Sequence, residues 1–181
     1  MPTKVQKAHI YTIPTLRELV DAGAHFGHRR SRSHPKSRQY VYTVRDRVLV
    51  VNLECTLAKL KEAAEAAELL ATEGKTFLFV GTKPQAAEVV KMAASAAGMP
   101  YVISRWLGGT LTNFATIRRN IDKLIRLEEI AQTGEDELFT KKERVTINRQ
   151  REKLAKIVGG IKELTRLPDV LVIIDTSHES I

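Results

Sequence analysis

Apolar residues recur along this chain in two rhythms: short unbroken runs, and stripes at spacings of three and four. Thr76-Phe77-Leu78-Phe79-Val80, Met99 to Ile103 and Val170-Leu171-Val172-Ile173-Ile174 are unbroken runs. Such runs mark strands covered on both faces. Tyr40-Val41-Tyr42-Thr43-Val44 and Val48-Leu49-Val50-Val51 are rich in β-formers. Arg45-Asp46-Arg47 lies between them, so a hairpin is expected, although its turn lacks the favoured residues.

The stretches between the runs read as helix. Thr15-Leu16-Arg17-Glu18 has capping-box spacing and opens a short helix that Gly23 ends. Thr56 to Glu73 is Ala, Leu, Glu and Lys, strong helix material stopped by Gly74. Gly81-Thr82-Lys83-Pro84 opens the next helix, which runs to Ala97 before Gly98. Thr82 or Lys83 can cap it, and Pro84 suits its first turn. Strand, helix, strand, helix, strand from Val48 to Ile103 predicts a parallel α/β layout with right-handed crossovers.

Beyond residue 111 the rhythm changes. Phe114, Ile117, Ile121, Leu124 and Leu127 stripe one face of a helix of about 20 residues. An acidic turn over 133–139 contains Gly134, and Thr140 with Glu143 repeats the capping box. A second helix to Val158 carries a weaker stripe of Val145, Ile147, Leu154 and Val158 before Gly159-Gly160 breaks it. Two long charged helices joined by a short turn predict an antiparallel hairpin. Its polar outer faces suggest that it projects from the body. The expected organisation is a body of 1–111 and 159–181 with a helical insertion of 112–158.

Charge sharpens this picture. The net charge is +8 over 181 residues, and 43% of the chain is apolar. Residues 1–47 carry +7, 48–104 carry −1, 105–166 carry +5 and 167–181 carry −3. Two basic zones flanking a neutral middle suggest a polyanion partner, since solubility does not require one sign to cluster. No stretch has the ~18 to 20 unbroken apolar residues of a membrane span. Met1 to Pro14 has neither a signal-peptide core nor a transit-peptide composition. Cys55 is the only cysteine, so no internal disulfide and no thiolate metal cage is available. A soluble cytoplasmic protein without a cofactor is the expectation.

The densest chemistry is basic. Arg29, Arg30, Arg32, Lys36 and Arg38 crowd one loop. Guanidinium forks match phosphate oxygens, and their planes stack on unpaired bases. His25 and His28 precede them in His25-Phe26-Gly27-His28. Two histidines without further ligands make a poor metal site, whereas histidines in an arginine-rich loop pack or contact RNA. Arg45 and Arg105 extend this set. On the helical pair, Arg118, Arg119, Lys141, Lys142, Arg149 and Lys153 lie off the apolar stripes, interleaved with carboxylates. Some of these are ordinary helix pairs, so the two helices form a mixed-charge strut.

Trp106, the only tryptophan, either plugs the junction between body and helical pair or stacks on a base. Gly81-Thr82-Lys83 follows a strand and opens a helix, where a phosphate could be held. The glycine spacing of a P-loop is missing, and an ordinary tight, capped turn explains it as well. No nucleophile elbow and no paired carboxylates stand out.

These residues resemble a known family. Leu19-Val20-Asp21-Ala22-Gly23-Ala24-His25-Phe26-Gly27-His28 looks like the opening motif of the bacterial small-subunit ribosomal protein S-two family. Pro35-Lys36, Phe79-Val80-Gly81-Thr82-Lys83, Arg105 to Asn113, Gly159-Gly160-Ile161-Lys162 and Leu167-Pro168-Asp169 to Ile174-Asp175-Thr176 follow in the family's order. The Arg105 to Asn113 match is highly specific.

The resemblance implies a flavodoxin-like, doubly wound α/β domain with a protruding coiled-coil hairpin. It implies a non-catalytic role in translation: binding of small-subunit ribosomal RNA where head meets body, beside neighbouring ribosomal proteins. It also implies a docking surface for the large ribosomal protein S-one and no homo-oligomer. Three departures stand out. Ser33-His34 replaces the family's usual Trp-Asn before Pro35-Lys36, which removes one stacking side chain. Arg45-Asp46-Arg47 replaces its Arg-Asn-Gly turn. The family usually continues beyond position 181, so Val170 to Ile174 is expected at or near a sheet edge. The competing class is a nucleotide-dependent enzyme using the α/β crevice near Gly81 to Pro84, where doubly wound sheets often bind ligands.

Overall fold

A computed structural model describes residues 12–133 and 139–179. Most of the expected acidic turn around Gly134 lies outside the described residues. The chain divides into two compact units, residues 1–73 and 74–181.

In the first unit, helix α1 (Leu16–Asp21) starts with the expected capping box. Glu18 N–H donates to Thr15 Oγ1 at 3.3 Å, and Thr15 N–H donates to Glu18 Oε2 at 2.7 Å. The Thr15 backbone bond, with help from its hydroxyl, holds the Glu18 carboxyl below its ordinary value. Strands β1 (Phe26–Arg29), β2 (Val41–Arg45) and β3 (Val48–Val51) form an antiparallel sheet in the order β1-β3-β2. The sequence layout made Val48 to Val51 the first strand of a parallel sheet. Instead both hydrogen-bonding edges of β3 are occupied, by β1 and by β2. The hairpin forms with its weak turn residues: Asp46 and Arg47 sit at φ +49 and +64. Two successive left-handed residues match a type I′ turn, which normally takes Asn-Gly. Helix α2 (Leu53–Thr72) packs with α1 and starts three residues earlier than Thr56. Its start is set by Asn52, whose Oδ1 accepts the Glu54 N–H at 3.0 Å.

The second unit is built on a parallel sheet. Strands β4 (Phe77–Val80), β5 (Tyr101–Val102) and β6 (Val170–Ile173) lie in the order β5-β4-β6. Helix α3 (Pro84–Ala96) joins β4 to β5, and helices α4 (Phe114–Thr133) and α5 (Lys141–Val158) lie between β5 and β6 in the chain. β4 is the central strand, buried at Phe77, Leu78 and Val80, as its unbroken apolar run predicts. Among the described residues β6 is an outer strand, as expected. Its start is clasped to β4: Thr76 N–H donates to Asp169 Oδ2 at 2.9 Å, and Thr76 O accepts the N–H of Asp169 and of Val170. That backbone bond, with Arg166 and Lys75 nearby, holds the Asp169 carboxyl below its ordinary value.

The α4 stripe is the core of this unit. Ile121 and Leu124 are fully buried, in one cluster with Leu78, Val80, Val102 and Val158. Burying side chains of this size stabilises by roughly 1.5 to 3 kcal/mol each. The first turns of α4 and the end of α5 are thus rooted in the sheet's core, while Val145 on early α5 is half exposed. Trp106 packs against the same cluster, which favours the plug over the base-stacking reading. Gly160 permits close approach: a Cβ there would lie 2.3 Å from Tyr101 O and 2.6 Å from its ring.

Candidate nucleic-acid interface

The basic loop between β1 and β2 is ordered by short-range bonds. Arg30–Arg32 is a single 3-10 turn, and Pro35–Tyr40 is a 3-10 stretch of six residues. His34 caps the second, its Nδ1 accepting the Lys36 N–H at 3.2 Å, and Ser37 Oγ donates to His34 O at 2.6 Å. His34 thus supplies a side-chain acceptor at the helix start. The first turn is tied to the hairpin tip, where Arg30 N–H donates to Arg47 O at 2.9 Å. This bond gathers Arg29, Arg30, Arg32, Arg45 and Arg47 at one end of the sheet.

These side chains are available. His28, Arg29, Arg30, Arg32, Lys36, Arg38 and Arg45 are all exposed. None of them enters an ion pair among the described residues. Gly27, His28, Arg29, Arg32 and Val48 line an open depression of about 490 Å³. Cations this close repel one another unless an anion is present. His25 differs from the others: its Nδ1 is buried without a partner among the described residues, and its ring lies 4.0 Å from that of Phe26.

The register places several residues on one sheet face. Arg29 and Arg45 lie on either side of Val48, and Phe26 and Thr43 on either side of Val50. Directly opposed residues share a face, and so do residues two apart on β3. Two β-bulges, between Phe26 and Arg29 and between Val41 and Thr43, bring these residues into line. The opposite face carries Leu49, the core residue of this sheet at 9% exposure. Phe26, by contrast, is 69% exposed, and Tyr42 at the second bulge is 76% exposed. Sequence reading missed Phe26, Tyr42 and Arg47 as site residues. The available signal was an aromatic flanked by cations, but the bulged register that aligns them is invisible in the sequence.

The second unit carries its own cations. Arg105, Arg119, Lys141, Lys142, Arg149 and Lys153 are exposed. Arg118 is held inward: it donates to Leu164 O at 3.1 Å and pairs with Asp122 at 3.0 Å. Lys162 pairs with Glu128. The Thr140–Glu143 capping box starts α5 as expected and holds the Glu143 carboxyl below its ordinary value.

The crevice at the start of α3 is filled from within. Lys83 holds the capping position without a side-chain capping bond. Its Nζ instead meets Asp175 Oδ2 at 2.6 Å, and Thr82 N–H donates to Glu179 Oε1 at 2.7 Å. No cluster of three or more metal-ligating side chains occurs among the described residues. None of the described helices is long and apolar enough to cross a membrane.

The model of the family described as Ribosomal protein S2 matches residues 19–181. The chain belongs to that family. It is similar to the small ribosomal subunit protein uS2 of Dictyoglomus thermophilum, 45% identical over 92% of this chain and 68% of that protein. The same named protein from a Nitratiruptor species is 45% identical over 92% of this chain and 62% of its own length. That of Wolinella succinogenes is 42% identical over the same shares. The chain therefore spans about two thirds of the length of these relatives. The match spans the ordered series of motifs from Leu19 onward.

Proposed function

We propose that this chain is a non-catalytic structural component of the small ribosomal subunit that binds ribosomal RNA where the head meets the body. The observation that carries this reading is the set of exposed cations gathered at one end of the β1-β3-β2 sheet, without ion pairs among the described residues, in a chain whose relatives are small-subunit proteins. His25, His28, Arg29, Arg30, Arg32, Lys36, Arg38 and Arg45 form the first contact zone. Arg105, Arg119, Lys141, Lys142, Arg149 and Lys153 form the second, and Arg118 contributes mainly by bracing α4. The partners are small-subunit RNA, neighbouring ribosomal proteins and, on another surface, the large ribosomal protein S-one. The site of action is the cytoplasmic ribosome. We further assign residues 74–179 to a flavodoxin-like, doubly wound plan in which 112–158 is a coiled-coil hairpin. The parallel β5-β4-β6 order and the packing of α4 on α5 support that assignment.

Phosphate contacts make binding salt-dependent through counterion release. With about eight phosphates neutralised, affinity falls by roughly three to five decades between about 50 and 200 mM salt. Filter binding to small-subunit RNA, with co-sedimentation at rising salt, measures this. A flat salt profile sinks the proposal. Arg29→Ala combined with Arg30→Ala weakens binding across sequences rather than at one base, because phosphate contacts carry little sequence information.

A further inference from the structure

We infer that the open face of the β1-β3-β2 sheet is a stacking platform for an unpaired RNA base, with Phe26 as the ring and Arg29 and Arg45 gripping the flanking phosphates. This deepens the ribosomal RNA reading and rests on it.

Phe26 is on the face opposite Leu49, the core residue of this sheet, so its 69% exposure is not a gap in the core. The ring is nonetheless held. His25 lies against one side at 4.0 Å, with the rings tilted by 39°. Phe26 N–H donates to Gly23 O at 3.1 Å, and Val51 N–H donates to His25 O at 2.9 Å. A ring whose backbone is anchored and whose one side is packed loses less freedom on binding than a free side chain.

The surroundings choose the occupant. Arg29 and Arg45 occupy the next row of the same face, about 7 Å along the strands. The positions aligned on this face contain no carboxylate; Asp46 is in the turn. An apolar protein partner would leave both guanidinium groups unpaired, whereas a nucleic acid strand supplies a π-face and anions together. A base inside an A-form duplex cannot lie flat on a ring, so the strand must be unpaired at that point. Aromatic rings on an open sheet stack bases in this way with little sequence preference.

The test uses the full chain and two probes of equal length: a single-stranded RNA carrying 2-aminopurine, and a blunt RNA duplex. At low salt the protein binds both, and 2-aminopurine fluorescence falls on binding the single strand. Phe26→Leu weakens single-strand binding about five- to hundredfold and abolishes the quenching. Its duplex binding stays within about twofold, and Phe26→Tyr retains single-strand binding. In protein with labelled phenylalanine, the Phe26 ring protons move upfield with single strand and stay in place with duplex. This last readout needs no variant to fold. Unchanged single-strand affinity and quenching in Phe26→Leu, or an unmoved Phe26 resonance in a bound complex, overturns the platform and leaves the RNA reading standing. Failure of the unaltered protein to bind either probe overturns both.

Discussion

Thr82 N–H donates to Glu179 Oε1 at 2.7 Å, so a carboxylate of the chain itself sits where α3 begins. A helix start after a parallel strand is where a nucleotide phosphate would bind. Here that donor is taken, and the nearby Lys83 is engaged by Asp175. The enzyme alternative therefore fails at the place that suggested it. Equilibrium dialysis with common nucleotides and methyl donors is expected to show no binding at millimolar concentrations. Glu179→Ala is expected to lower stability by about 1 to 2 kcal/mol, since it removes a bond from a backbone donor to a charged acceptor. Urea unfolding checks this. A saturable nucleotide isotherm for the unaltered protein would reverse the conclusion.

Gly160→Ala should be among the most damaging small substitutions in the chain. Its Cβ would meet Tyr101 O at 2.3 Å, a backbone atom that cannot swing away. A loss of at least about 2 to 3 kcal/mol is expected. Gly108→Ala, with nothing within 4 Å of the added Cβ, is the matched control. Equal urea midpoints for the two variants would contradict the close approach.

Arg47 has the opposite sign. It holds φ +64 in the hairpin turn, a conformation costing a non-glycine residue roughly 1 to 2 kcal/mol. Arg47→Gly should relieve about 1 kcal/mol after its own entropy cost. Its RNA affinity should nevertheless fall, because a cation leaves the cluster. Higher stability with weaker RNA binding is the expected pair of results. A stability loss would show that the Arg47 side chain braces the fold.

Acid should loosen both units. Glu18, Glu143 and Asp169 all have folded values held down by hydrogen bonds to their carboxylates. A lowered folded value means stabilisation that is complete above the ordinary carboxyl range. It disappears as pH falls through the folded values. The loss therefore begins below about 4.5 for the glutamates and 3.8 for Asp169. Glu143→Gln should flatten part of the stability decline below about pH 4.5. Circular dichroism across an acid titration reads this. A decline as steep as in the unaltered protein would remove the capping box from the account.

Much of this protein was legible along the chain because the signals are local. Of the α4 stripe, Ile117, Ile121, Leu124 and Leu127 are buried and Phe114 is partly buried against them, and the unbroken run at Phe77 to Val80 named the central strand. Both capping boxes closed as their spacing required, because three residues on a helical turn bring the two side chains together whatever surrounds them. The cationic loop was equally plain, since charge clustering is a property of composition. Partnerships were not legible. Only the tertiary structure decided that β3 pairs on both edges and so leaves the parallel sheet. It also decided that Arg118 turns inward to Leu164 O, and that Glu179 closes the start of α3 across 97 positions of chain. The alignment of Phe26 with the two arginines depends on two bulges, each a one-residue slip that no periodicity records. Spacing along the backbone governs what lies within a turn or a strand. Contacts between distant segments depend on how all of them pack at once.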